Sequence, residues 1–181
     1  MIMLSNERYE EIKRIIVNLF RKYNVHCVPV SGFELATKMG IKIIPYSRYP
    51  DRVRILLMKK SKDGFCLEKN PGEWFIFYND SMPYGRINNT LMHEIGHIVL
   101  DHSEDSELAE SEVKFFAKYA LAPPVLIYKL QLEDPQRIAE VFEISYTAAC
   151  YAYDYYKKWL QYGPMYLTDY EIVTLGLFEA V

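Results

Sequence analysis

The pattern H-E-I-G-H at residues 93–97 constrains the fold of this chain more than any other feature of its sequence. It lies in a stretch whose apolar residues recur with helical spacing. Because a helix turns about 100° per residue, side chains at positions i and i+4 project from one face, about one turn apart. His93 and His97 can therefore reach one metal ion, provided that a helix runs through both and another element supplies a further ligand.

Two histidines flanking a glutamate in this spacing are typical of a hydrolytic zinc site. Both imidazoles bind the ion, and Glu94 is placed to hold a water molecule and accept its proton. Gly96 costs a helix about 1 kcal/mol relative to alanine, so its presence predicts that another backbone or a substrate packs closely there. The sequence thus predicts His93 and His97 as metal ligands and Glu94 as a general base.

A catalytic zinc ion needs a third protein ligand and an open fourth position. His102 is disfavoured, because it stands nine residues after His93 and points to the opposite side of a continuing helix. The better candidates are carboxylates of the next helical stretch, namely Glu107, Glu110 and Glu112. Glu112 precedes an apolar stripe with helical spacing, whereas Glu110 lies closer to the polar side, with Lys114 four residues on. We therefore predict Glu112 as the third zinc ligand.

Length and composition fit one domain, or one domain with a small appendage. The chain has 181 residues, of which half are hydrophobic and a quarter charged, as in ordinary globular proteins. The three cysteines, at positions 27, 66 and 150, show no C-x-x-C spacing, so we expect thiols in a reducing cytosol. No apolar run approaches the length of a membrane span, and the polar N-terminus is unlike a signal peptide. We expect a cytoplasmic protein without membrane contact.

Hydrophobic periodicity predicts a mixed first part of the chain and a helical second part. Helices are predicted at 6–23 and, capped by Ser31, at 32–39. Strands are predicted at 41–46, 53–59, 64–68 and 74–78. Asp63-Gly64 is predicted to turn a hairpin and Pro71-Gly72 to separate the last two strands, which indicates an antiparallel meander of three to four strands.

Further helices are predicted at about 84–101, 106–121, 125–131, 135–142, 146–161 and from Thr168, which has capping-box spacing with Glu171. The predicted fold class is therefore α+β. We divide the chain into a core domain at 1–122 and a helical C-terminal segment at 123–181, because Pro123-Pro124 ends the preceding helix.

Several stretches of the chain resemble, in order, segments of the ImmA/IrrE family of bacterial zinc metallopeptidases. The first is VPVSGFELATKMGIKI, which is similar to the family's N-terminal helix and strand. The second is IFYNDSMPYGRINNTLMHEIGHIVLDH, which resembles its strand, loop and active-site helix. The third is ESEVKFFAKYALAP, which resembles its E-A-N-x-F-A block and puts the family's ligand glutamate on Glu112. Val113 and Lys114 stand where the family has Ala-Asn.

The resemblance implies a small zincin-like core and a cytoplasmic zinc endopeptidase of narrow specificity. One zinc ion is then held by His93, His97 and Glu112, with Glu94 as the base. Members of the family cleave, or are inferred to cleave, a helix-turn-helix repressor and so derepress genes, which makes such a repressor the expected partner. The alternative is a non-catalytic module that binds a repressor or another protein without cleaving it, and the intact Glu94 argues against this alternative.

The stretch DPQRIAEVFEISYTAACYAYDYYKKW resembles the helix-turn-helix-like segment that follows the family's peptidase core. DNA binding needs a basic footprint, but residues 125–160 carry four basic and five acidic side chains. We expect these helices to pack on the core or dock a protein rather than bind nucleic acid. The residue that stabilises the oxyanion stays open among four candidates: Tyr84, Tyr119, Tyr151 and His102.

Overall fold

The computed structural model describes residues 3–102 and 106–178 and confirms the α+β class. The three strands are β1 (Lys42–Pro45), β2 (Gly64–Asn70) and β3 (Glu73–Tyr78). In the described part of the chain the helices are α1 (Asn6–Lys22), α2 (Gly32–Lys38), α3 (Asp51–Lys60), α4 (Tyr84–Val99), α5 (Glu107–Leu121), α6 (Pro124–Lys129), α7 (Pro135–Phe142), α8 (Tyr146–Trp159) and α9 (Asp169–Leu177). A short 3-10 turn, Tyr46–Arg48, follows β1.

Short polar side chains determine where most helices begin. An N-cap side chain accepts a hydrogen bond from a backbone N–H three residues on in α1, α2, α5, α7 and α8, the caps being Ser5, Ser31, Ser106, Asp134 and Ser145. The predicted capping box of Thr168 and Glu171 is present at the start of α9. These local signals explain why the predicted helices lie within a few residues of the observed ones.

The sheet is mixed, and the predicted antiparallel meander is wrong in its strand order. The order is β1-β3-β2, with β1 parallel to β3 and β2 antiparallel to β3. Pro71-Gly72 does turn the β2–β3 hairpin, with Gly72 at φ +79°. Because β3 lies in the middle, β2 is an edge strand, and no other strand of the described residues pairs with its outward side.

The predicted strand at 53–59 is also wrong, because residues 51–60 form the helix α3. Pro50 precedes the helix, Asp51 lies in its first turn and Lys59 and Lys60 lie in its last turn, all of which favour a helix there. A short apolar run does not by itself distinguish a strand from a helix. Asp63-Gly64 therefore leads from α3 into β2 and does not turn a hairpin.

One hydrophobic cluster joins the helices of the N-terminal part to those of the C-terminal part. Ile16 of α1 and Ile95 of α4 belong to it together with Ile138 and Phe142 of α7, and all four are fully buried. The helix pair α7–α8 thus packs on the core, and the domain boundary at 122/123 stays a prediction. No helix in residues 3–102 or 106–178 combines the length and apolar character that crossing a membrane requires.

Gly85, in the first turn of α4, holds that helix against the turn between α7 and α8. A Cβ atom at Gly85 would lie 2.9 Å from the carbonyl oxygen of Glu143, a backbone atom that cannot swing aside. We expect Gly85→Ala to lower the free energy of unfolding by about 1–3 kcal/mol, as measured by urea denaturation. Gly176→Ala in α9 is the matched control, because its Cβ meets no described atom within 4 Å. The control should gain up to about 1 kcal/mol, and equal losses in both variants would contradict the packing argument.

Candidate metal centre

An open cleft of about 800 Å³ lies beside α4, the N-terminal part of α5 and the edge strand β2. Its lining brings together residues from 60 to 110 along the sequence. The residues that line it include Gly64, Cys66 and Glu68 of β2, Asn89, His93, Glu94 and His97 of α4, and His102 and Glu110. This cleft therefore contains the predicted histidines and the predicted base.

The helix α4 is fixed at several points before it reaches the motif. Asn88 is fully buried, accepts a hydrogen bond from the Gly32 N–H at 2.6 Å and donates one to the Val30 carbonyl at 3.0 Å. Two residues earlier, Arg86 binds both carboxylate oxygens of Asp63, at 2.7 and 3.0 Å. These contacts attach α4 to α2 and to the start of β2, and they orient the motif toward the cleft.

His93, His97 and Glu110 form a three-residue cluster in which the potential ligand atoms all lie within 4.8 Å of one another. Oε1 of Glu110 lies 3.7 Å from Nε2 of His93 and 3.4 Å from Nε2 of His97. Ligand atoms about 2.0–2.2 Å from a tetrahedral zinc ion are about 3.3–3.6 Å apart. The two distances from Glu110 are close to this range, so the cluster is compatible with one such ion. Two imidazoles with a carboxylate are a donor set that zinc accepts.

The charges around the cluster favour the forms of these residues that bind a metal. Burial lowers the pKa of His93, in spite of the opposing effect of Glu110, so the neutral imidazole predominates at neutral pH. Burial raises the pKa of Glu110, but Lys114 and His93 outweigh it and the net shift is downward. Nζ of Lys114 lies 3.2 Å from Oε2 of Glu110, which leaves Oε1 on the side of the histidines.

The structure does not bring Glu112, the third ligand predicted from the sequence, to the motif histidines. Its two oxygens accept hydrogen bonds from Nε and Nη2 of Arg8, both at 2.7 Å, and Oε2 also lies 2.8 Å from Nε2 of His102. Arg8 is the main cause that lowers the pKa of Glu112, so this buried carboxylate is ionised. Glu112 faces the interior as predicted, but it forms an ion pair with Arg8 of α1. The geometry therefore favours Glu110 as the ligand.

A chain of hydrogen bonds connects Glu112 to the outer side of the metal cluster. An ionised carboxylate only accepts, so Nε2 of His102 donates to Glu112, and in a neutral ring Nδ1 of His102 is left as an acceptor. That Nδ1 lies 3.2 Å from Nδ1 of His97, which therefore carries the proton in neutral His97. This tautomer leaves the Nε2 lone pair of His97 directed at Glu110 and the cluster. Arg8, Glu112 and His102 thus orient His97, in the way that outer partners commonly fix metal-binding histidines.

Glu94 is held against the edge strand. Its Oε2 accepts a hydrogen bond from the backbone N–H of Cys66 at 2.9 Å, and only 7% of the residue is exposed. Because Cys66 directs its N–H away from β3, the alternation of a strand directs the backbone groups of Gly64 and Glu68 to the same side. The predicted base and the outward edge of β2 therefore face the same cleft.

Gly96 makes room for α5, and not for another backbone or a substrate as the sequence suggested. A Cβ there would lie 3.1 Å from Cδ1 of Phe116 and 3.3 Å from Cγ1 of Val113. This close approach of α5 to α4 places Glu110 opposite the two histidines. The packing of α5 on α4 thus determines the distance between Glu110 and the two histidines.

The four candidates for oxyanion stabilisation differ in their positions. His102 lines the cleft, but both of its ring nitrogens are already engaged. Tyr119 is buried, Tyr151 lies under Nζ of Lys118 at 4.5 Å, and Tyr84 stacks on Phe33. Asn89, an exposed residue that lines the cleft, was not among the residues predicted from the sequence. Its position four residues before His93, and so on the same helical face, could have indicated it.

Arg8 is a second residue of the site that was not predicted from the sequence. It lies on α1, 104 positions before its partner Glu112, and no local pattern links the two. The only available signal was a carboxylate expected to face the core, which requires a partner of opposite charge or a metal. In the folded chain an arginine, and not a metal, meets this requirement of Glu112.

A helix that carries H-E-x-x-H, a carboxylate from the following helix and an adjacent edge strand define a metallopeptidase-type site. The chain belongs to a family of this class, because the family profile for the IrrE N-terminal-like domain, peptidase family M78, matches residues 36–153. The family resemblance predicted from the motifs is thereby confirmed. No curated protein matches the chain significantly.

Proposed function

We propose that this protein is a zinc-dependent endopeptidase whose ion is held by His93, His97 and Glu110. The observation that carries the proposal is the position of Glu110 Oε1, 3.7 and 3.4 Å from the two Nε2 atoms and in the same cleft as Glu94. When bound, zinc supplies the Lewis acidity that polarises a scissile carbonyl and acidifies water.

Glu94 is proposed as the proton carrier of the reaction. It would accept a proton from the attacking water and deliver it to the amine that leaves. The Cys66 N–H holds one oxygen of this carboxylate in place, which limits the motion that proton transfer would otherwise require. Asn89 would donate a hydrogen bond from its side-chain amide to the oxyanion that develops on the carbonyl.

An extended segment of substrate would lie along β2. The backbone groups of Glu68 that point away from β3 would pair with it as in the addition of a further strand, while the Cys66 N–H stays bound to Glu94. This mode reads the substrate mainly through its backbone, so narrow specificity would require additional contacts outside the cleft.

The substrate class that we propose is a helix-turn-helix repressor, cleaved in the cytoplasm so that the genes it silences are expressed. Membership of the IrrE N-terminal-like family supports this choice. Direct binding of nucleic acid remains disfavoured, because residues 125–160 are slightly acidic. The alternative, a module that binds a repressor without cleaving it, does not need the base Glu94 in the cleft.

The function is tested by measuring metal and hydrolysis on the same purified sample. We expect about one zinc ion per chain by plasma mass spectrometry and cleavage of labelled casein or of a helix-turn-helix repressor from the source genome. Removing zinc with a chelator should stop cleavage, and adding zinc should restore it. Repressor binding without cleavage in the zinc-loaded protein would instead support the non-catalytic alternative.

A further inference from the structure

The strongest positive charge of the sequence lies around α3. Residues 48–62 carry six basic side chains and one acidic one, although the whole chain has a net charge of −3. The rest of the chain is therefore acidic, and the residues around α3 form a cationic segment within it. A local charge of this sign attracts acidic partners and raises their rate of association.

The helix α3 also exposes apolar side chains. None of its ten residues is buried, and Ile55 and Leu56 are 56% and 63% exposed. Leu57 and Met58 are half-buried and lie on the side that faces the protein. A helix that exposes large aliphatic residues beside basic ones has a surface that suits a partner.

Basic and apolar residues share the outward side of α3. At about 100° per residue, Arg52, Ile55, Leu56 and Lys59 lie within a sector about 100° wide, opposite Leu57 and Met58. We call these four residues the outer face of α3. Among the described residues no carboxylate forms an ion pair with Arg52 or Lys59, whereas Arg54, outside the face, is paired with Asp51.

The outer face is next to the cleft. Lys60 ends α3 and lines the cleft together with Ser61, and Nζ of Lys60 lies 4.0 Å from the ring centroid of Phe65 in β2. A chain bound along β2 could therefore continue onto α3 without leaving the surface. The cationic segment is therefore placed so that a peptide bound in the cleft could also contact it.

The arrangement of the face favours a protein over a membrane or DNA. Helices that lie on membranes separate an apolar face from a polar one, whereas here both kinds of side chain share one face. Binding of the DNA backbone depends on basic and polar groups, and exposed Ile55 and Leu56 would contribute nothing to it. An acidic segment with interspersed apolar residues complements both components.

We propose that the outer face of α3 is an exosite that docks an acidic, apolar segment of the protein substrate beside the cleft. The identification of this partner as a substrate rests on the proposed peptidase function, whereas the docking itself does not. Such a contact outside the reacting centre provides the selectivity that backbone pairing along β2 cannot provide.

Docking is tested with a fluorescein-labelled peptide of interspersed glutamate and leucine, titrated into the Glu94→Gln protein so that cleavage cannot interfere. We expect saturable binding that weakens at high salt, and none of the same peptide with lysine in place of glutamate. Arg52→Glu combined with Lys59→Glu should weaken binding by about tenfold or more, and Ile55→Ser combined with Leu56→Ser should also weaken it. The matched control, Arg21→Glu with Lys22→Glu in the last turn of α1, should leave binding unchanged.

Equal losses in the control and in the α3 variants would overturn the exosite, as would a peptide that does not bind. Loss of binding to phosphatidylglycerol vesicles or a DNA duplex in the α3 variants, with no peptide binding, would assign the face to a membrane or to nucleic acid. Metal content measured on the same samples separates the two hypotheses. If the protein cannot hold zinc yet binds the peptide through α3, the peptidase function fails and the docking surface stands.

Discussion

Replacing Glu94 with glutamine should abolish hydrolysis while leaving the protein folded and loaded with metal. Glutamine keeps an oxygen that can accept the Cys66 N–H, so the position of the side chain in the cleft is retained. It cannot accept a proton from water, and loss of general-base catalysis costs on the order of 10²–10⁴-fold in rate. The measurement is the rate of cleavage of a probe that the wild-type protein hydrolyses, with zinc content determined on the same sample.

Glu140→Gln is the control for this substitution, because Glu140 is an exposed glutamate of α7 that pairs with Arg137. It should leave both rate and zinc content unchanged. If Glu94→Gln retained most of the activity, another group would have to act as the base. If the variant lost its metal, Glu94 would have a structural role that the present contacts do not give it.

Glutamine at position 110 should remove the metal, whereas glutamine at position 112 should only weaken its binding. An amide oxygen is a neutral and poorer ligand than the carboxylate that lies opposite His93 and His97. Glu112 acts through His102 and His97, and loss of such an outer contact typically costs about 10- to 100-fold in metal affinity. Competition with a chromogenic chelator would give the two affinities, and we expect the loss in Glu110→Gln to exceed this range.

In the absence of metal, Glu112→Gln should be less stable than Glu110→Gln. Glu112→Gln removes the charge partner of Arg8, and this should lower the free energy of unfolding by about 1–3 kcal/mol in urea. Glu107→Gln is the third member of the series and should change neither quantity, because this exposed residue lies in the first turn of α5. If zinc were lost in Glu112→Gln and kept in Glu110→Gln, α5 would have to be rotated from its present orientation.

The choice between these two glutamates marks the limit of what the sequence could predict about the site. Their side chains point about 200° apart on a helix, so one of them can be buried in the interior while the other faces the metal cluster. Glu112 was correctly expected to be buried, but its partner Arg8 is remote in sequence and only the folded chain brings the two together. His93, Glu94 and His97 needed no such information, since one helix brings them together.

The same limit applies to the fold: the features set by local sequence were predicted, and those set by long-range contacts were not. Capping residues and periodicity located α1, α2, α4 and α5 within a few residues. The parallel pairing of β1 with β3 depends on contacts between distant residues such as Ile43 and Ile76, which no turn signal encodes. The helix α3 was wrongly predicted as a strand. Its apolar run is short and shows no helical periodicity, so its pattern is also that of a buried strand.

The ion pair between Arg8 and Glu112 limits how far the chain can be shortened before metal binding is affected. The family profile covers residues 36–153, whereas Arg8 lies on α1, outside that range. A protein trimmed to the family boundaries would keep all three proposed ligands and the base, but it would expose a buried carboxylate and leave His102 without a fixed acceptor. Shortening the chain from its N-terminal end should therefore act on metal affinity from a distance, through an element that never touches the ion.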